Sequence, residues 1–134
     1  MRKINEIIIH CSGSDSKVYD FEAIHGDHTI ERGWKDIGYH FGIDWNGNIH
    51  ILRDITKPGA HCVGRNTFSI GVCILGNRSF SEERLASLGK LCEMLCLAFD
   101  LKKKDIQPHN IYNSSKTCPN FDVERFKIDY MRSL

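Results

Sequence analysis

Two short runs constrain this chain more than anything else in it: residues 5–11 (NEIIIHC) and residues 68–75 (FSIGVCIL). Both are almost continuously apolar and rich in β-branched side chains, and neither alternates polar with apolar. Successive side chains of a strand point to opposite faces, so a half-exposed strand would alternate. A continuous run therefore reads as a strand buried on both faces. Such strands need cover on both sides, and the remaining sequence supplies it. Residues 81–100 carry Leu85, Leu88, Leu91, Cys92, Leu95, Cys96 and Phe99 at the helical period, with Ser81, Glu82 and Glu83 suited to a helix start. Residues 20–32 read as a second helix, with Asp20 as N-cap, Phe21, Ile24, His28 and Ile30 roughly on one face, and Gly33 as terminator. Residues 122–131 form a short third helix, Asp122 capping it and Val123, Phe126 and Tyr130 pointing inward.

Strands interleaved with helices give an α/β sheet covered on its faces. Residues 37–44 and 48–53 read as a strand pair around Asn46-Gly47, a strong hairpin signal, which makes the sheet mixed. The expectation is an α/β fold: one domain over residues 1–134, a mixed central β-sheet flanked by helices. A chain of 134 residues suits one such core.

Composition narrows the function classes. With 18 basic and 17 acidic residues the formal net charge is +1, without the basic excess of a nucleic-acid binder, so no nucleic-acid partner is expected. No apolar run approaches the ~20 residues needed to span a bilayer, so no membrane insertion is expected. The start, MRKINEIIIHC, is basic, but its apolar stretch covers only Ile7 to Ile9, too short for a secretory signal. A reducing compartment and free thiols are then expected for the six cysteines. Cys92 and Cys96, four apart in a helical pattern, read as small core residues.

Residues 107–121 (QPHNIYNSSKTCPNF) gather His109, Lys116 and Cys118 between Pro108 and Pro119. Pro, Asn and Ser at this density make a loop. An imidazole and a soft thiolate in one loop can form part of a catalytic zinc site, which takes three protein ligands and keeps one position open, so a third ligand must come from elsewhere; by themselves a His and a Cys nine apart can equally be unrelated. His10, closing the first strand run before a Ser-Gly turn, can project into a site or sit as a hydrogen-bonded core histidine. Tyr39 and His40 face opposite sides of their strand, so only one points at a given site. Residues 54–67 are irregular and carry His61, Arg65 and Asn66 in a position suited to lining a groove. His25 and His28 read as a surface residue and a packing residue, and Lys102 to Lys104 as a solvated turn.

Four stretches taken together resemble the type-2 N-acetylmuramoyl-L-alanine amidase family: IIIHCSGS at 7–14, RGWKDIGYHFGI at 32–43, GAHCVGRNTFSIGVCILGN at 59–77 and SKTCPNFDV at 115–123. Their order and spacing match as well, and the likeness is greatest to compact phage amidases. The family is related to the animal peptidoglycan recognition proteins. The resemblance implies one zinc ion per chain on His10, His109 and Cys118, with Tyr39 and Lys116 acting in catalysis. It implies hydrolysis of the amide between N-acetylmuramic acid and L-alanine in bacterial peptidoglycan, on muropeptides or the intact wall, in the manner of a phage or prophage lysin. Such a lysin stays cytoplasmic until it reaches the wall after membrane disruption, or is exported by another route. One departure is local: many relatives carry a charged His-Arg-Asp or His-His-Glu stretch at the second histidine, where this chain has Pro108-His109-Asn110.

Within that reading Lys116 supplies positive charge to a developing oxyanion and Tyr39 donates a hydrogen bond or relays a proton. His61 and Asn66 are read as substrate-groove residues. The alternative is a non-catalytic module on the same fold, binding peptidoglycan or a regulatory protein partner. Relatives that only bind peptidoglycan lack the cysteine, which this chain keeps as Cys118. A cysteine amidohydrolase built on Cys11 or Cys118 is a more distant alternative.

Overall fold

The computed structural model of the chain describes residues 1–34 and 36–132. Lys35, within the 32–43 stretch, and Ser133 and Leu134, at the end of the expected 1–134 domain, lie outside the described residues. The elements run β1 (Glu6–Cys11), α1 (Phe21–Gly26), β2 (Phe41–Ile43), β3 (Ile49–Ile51), β4 (Ser69–Ile74), α2 (Glu82–Phe99), β5 (Ile106–Pro108) and α3 (Val123–Tyr130). The sheet order is β3-β2-β4-β1-β5. β2, β4, β1 and β5 are parallel, and β3 runs antiparallel to β2. This is the mixed sheet that the hairpin signal predicts.

The two apolar runs form the centre, and all six residues of β1 and all six of β4 are buried. Ile7, Ile9, Ile70, Val72 and Ile74 pack against Leu88, Leu91, Cys92 and Leu95 of α2 and Val123 and Phe126 of α3. On the opposite face Cys73 and Leu75 meet Phe21 and Ile24 of α1 and Ile37. The helix starts are capped as expected: Asp20 accepts from Ala23 N–H, Ser81 from Arg84 N–H, and Asp122 from Glu124 and Arg125 N–H.

Three local readings are corrected. The helix over 20–32 is α-helical only to Gly26 and then makes a π-turn, Asp27–Glu31, in which Arg32 N–H reaches back to Asp27 O. The changed period leaves His28 buried but turns Ile30 out to solvent at 80% exposure, off the apolar face it was assigned to. The strand pair expected at 37–44 and 48–53 is regular over three residues on each side only. Upstream of β2 the backbone bends to bond elsewhere, with His40 N–H on Gly71 O and Ala60 N–H on Gly38 O. The hairpin closes through Asp44 N–H on Asn48 O, with Gly47 at φ 81°, a left-handed conformation that favours glycine. Finally, the stretch expected as loop from Gln107 begins as β5, pairing Ile7 with Ile106, Ile8 with Gln107 and Ile9 with Pro108. Pro108 is tolerated there because β5 is an edge strand. All six cysteines are free thiols. No helix among the described residues is long and apolar enough to cross a membrane.

Candidate metal centre and its cleft

Strand register brings the two distant histidines together. With Ile9 opposite Pro108, the next residues along β1 and β5 are His10 and His109. Both lie at the carboxyl ends of neighbouring parallel strands, the edge where open α/β sheets hold their ligands. Their ring centroids are 4.3 Å apart. His109 opens a short 3-10 turn (His109–Ile111) and is buried. Cys118 arrives on the other arm of the same loop, tied by Asn110 N–H to Cys118 O and by Asn110 Nδ2 to Thr117 O, each at 3.1 Å. His109 Nδ1 then lies 3.3 Å from Cys118 Sγ. One donor atom from each of His10, His109 and Cys118 falls within 4.8 Å of the others.

The protonation states suit a metal. Burial pulls the His10 pKa down to about 4, so its ring is neutral near pH 7. The Cys118 thiol is held far below its ordinary value, first through the neighbouring Cys11 thiol, with the His109 ring adding to it at 3.3 Å. Cys11 is pushed up correspondingly and keeps its proton. The centre therefore offers a neutral His10 imidazole and a Cys118 thiolate beside the His109 ring, and neutral imidazole and thiolate are the forms that bind metals.

The cluster sits in an open cleft of about 630 Å³ lined by His10, Tyr39, His61, Asn66, His109, Lys116 and Cys118; Arg65, also read as suited to a groove, instead pairs with Glu6, Nε to Oε1 at 2.7 Å. The Tyr39 ring packs 5.1 Å from that of His10. Burial raises the Tyr39 pKa well above its usual value, so the hydroxyl stays protonated. His40 does not line the cleft; its ring holds Gly71 N–H and Lys57 O. Lys116 is exposed in the loop at the rim. Asn66 Oδ1 accepts from both His61 N–H and Cys62 N–H at 2.9 Å, which folds the 61–66 turn. The ring of His61 is buried, and burial holds its pKa well below the ordinary value. His28 Nδ1 accepts from Gly38 N–H, a packing role as expected.

Two participants were not legible as such. Cys11 follows His10 directly, yet its effect on the Cys118 thiol depends on the loop folding over the strand end. Ser69, the first residue of β4, bonds the His61 ring from below (Oγ to Nε2, 3.1 Å), and nothing in its local sequence signals that contact.

A mixed α/β sheet that gathers two histidines and a thiolate at its strand ends, inside an open cleft, defines a class of protein: an α/β domain with a catalytic-type His-His-Cys donor set. The chain belongs to the N-acetylmuramoyl-L-alanine amidase family, whose model matches residues 1–121. It is an amidase that cleaves the bond between N-acetylmuramic acid and L-alanine in peptidoglycan. The endolysin of Escherichia phage T7 is 32% identical over 129 residues, covering 90% of this chain and 83% of the phage protein. The N-acetylmuramoyl-L-alanine amidase LysC from Clostridium intestinale URNW superposes with a TM-score of 0.81 at 27% identity, covering 95% of this chain and 85% of that one. Drosophila PGRP-LB, solved in complex with tracheal cytotoxin, shares the fold at a TM-score of 0.79 and 22% identity, covering 98% of this chain and 85% of its own.

Proposed function

We propose that this amidase is zinc-dependent, with His10, His109 and Cys118 as its three ligands, and that it acts on bacterial peptidoglycan or its muropeptides as a wall-lytic enzyme. The observation that carries the reading is the donor cluster: a neutral imidazole, a second imidazole and a thiolate within 4.8 Å of one another. Zinc accepts both donor types, and three protein ligands leave a fourth position open for chemistry. A zinc ion held there supplies a Lewis acid that acidifies water to a pKa of ~7 and polarises a carbonyl.

The remaining steps belong to side chains of this chain. Tyr39, buried against His10 and protonated, offers its hydroxyl as a hydrogen-bond donor to the scissile amide. Lys116 at the rim places positive charge where the oxyanion of the tetrahedral intermediate develops. His61 and Asn66 form part of the wall along which the substrate lies. The single amidase unit takes in residues 1–134.

A turbidity assay on outer-membrane-permeabilised cells tests the reading. Clearing by the purified protein should stop on chelation and return with added zinc. Clearing that persists at full rate after exhaustive chelation contradicts it.

A further inference from the structure

His61 sits in a notch made for it. A Cβ at Gly71, in the middle of β4, or at Gly59 would lie 2.5 Å from its ring. Inside that notch both ring nitrogens are used. Nδ1 is 2.9 Å from His10 Nε2, and Nε2 is 3.1 Å from Ser69 Oγ. Ser69 Oγ–H donates onward to the carbonyl of Arg65 at 2.7 Å.

The direction of this chain of hydrogen bonds follows from its last link. The Ser69 proton is committed to a carbonyl, so Ser69 Oγ accepts from His61 Nε2–H. A neutral imidazole carries one proton, so His61 Nδ1 has a lone pair and accepts from His10 Nε2–H. His10 is then left with its lone pair on Nδ1. With Nε2 turned to His61, Nδ1 is the nitrogen left for the cluster that His10 forms with His109 and Cys118. His61 itself contributes no atom to that cluster among the described residues.

We propose that His61 is a positioning residue that, backed by Ser69 and the Arg65 carbonyl, fixes His10 in the tautomer and ring orientation presenting Nδ1 to the metal. This rests on the zinc reading above and assigns His61 a task beyond lining the cleft. Partners that orient a ligating histidine set metal affinity, typically by about 10- to 100-fold.

The test has two arms. In the zinc-loaded wild-type protein, long-range ¹H–¹⁵N spectra of the imidazoles should show His10 and His61 both protonated at Nε2. In the second arm, zinc affinity is measured by chelator competition for wild type, His61→Asn and His61→Leu. Asn places an oxygen acceptor near the former Nδ1, while Leu has nearly the same shape and no acceptor. His61→Leu should lose about 10- to 100-fold in zinc affinity and shift the d–d spectrum of the cobalt-substituted protein, and His61→Asn should recover most of both. A proton on His10 Nδ1 in the loaded protein overturns the inference whether or not the variants fold, and so does a His61→Leu protein with wild-type affinity and spectrum. A wild-type protein that takes up no zinc overturns the zinc reading and the inference with it; failure of the inference alone leaves wild-type zinc intact.

Discussion

The imidazoles of His10 and His109 lie 4.3 Å apart at the ends of two parallel strands, and the register of those strands sets the distance. The third donor, Cys118, is brought in by a loop whose two arms are tied through Asn110. Removing the sulfur leaves two histidines that the fold still holds together. Cys118→Ala should therefore keep the fold and lose most of its zinc and its amidase activity. Elemental analysis and circular dichroism on the same sample check this; full zinc occupancy with full activity contradicts the ligand assignment.

Tyr39 and Lys116 separate binding from chemistry. Neither belongs to the donor cluster, so Tyr39→Phe and Lys116→Ala should keep zinc and still sediment with peptidoglycan. Each should lose about 100- to 1,000-fold in turnover, roughly 3–4 kcal/mol, the usual cost of removing one oxyanion donor. Tyr39→Phe removes a single oxygen from a ring that packs on His10, so wild-type turnover in that variant would leave the ring as packing only.

Much of this architecture was legible in the sequence, and the reasons are physical. Residues 5–11, 68–75 and 81–100 declare themselves because burial on two faces, or on one helical face, leaves a direct imprint on composition. Caps at Asp20, Ser81 and Asp122 are local and readable for the same reason. β5 was not legible: three residues ending in Pro108 become a strand only because β1 offers a free edge to pair with. The π-turn that exposes Ile30 has no local signature either. At the site, the donor types were visible and the likeness to the amidases pointed to the residues. The hydrogen-bond chain from His10 through His61 to Ser69 joins residues from one strand, a loop and a second strand, so only the fold discloses it.

Gly71 links the core to the site. Its hydrogen is all that separates β4 from the His61 ring, and a methyl group there would stand 2.5 Å from Cδ2 and Cγ. Gly71→Ala should lower the thermal midpoint, at a cost of about 1–3 kcal/mol for overpacking, and should weaken zinc binding by displacing His61. Unchanged midpoint and unchanged affinity would mean that the notch can relax without moving the ring.

His40 makes stability depend on pH. It is buried, accepts from Gly71 N–H at 3.0 Å and bonds Lys57 O at 2.8 Å, and burial lowers its pKa from 6.5 to about 4. Between those values the unfolded chain binds a proton that the folded chain refuses. The contribution is therefore complete above pH 6.5 and is lost as pH falls toward 4, at about 1.4 kcal/mol per pH unit for this group. Thermal melts of metal-free protein from pH 7 to 4 should show that decline, and His40→Gln should make it shallower, with the part owed to His10 and His61 remaining. Parallel pH profiles for the two proteins would contradict the assignment.

The most direct measurement is the metal content of the purified wild-type chain taken together with its amide-cleaving activity on a defined muropeptide. The account predicts one zinc per chain, activity that falls in proportion as zinc is stripped by a chelator, and recovery when one equivalent of zinc is returned. A chain that cleaves N-acetylmuramoyl-L-alanine at full rate without bound zinc, or that holds zinc equally well after Cys118→Ala, would contradict it.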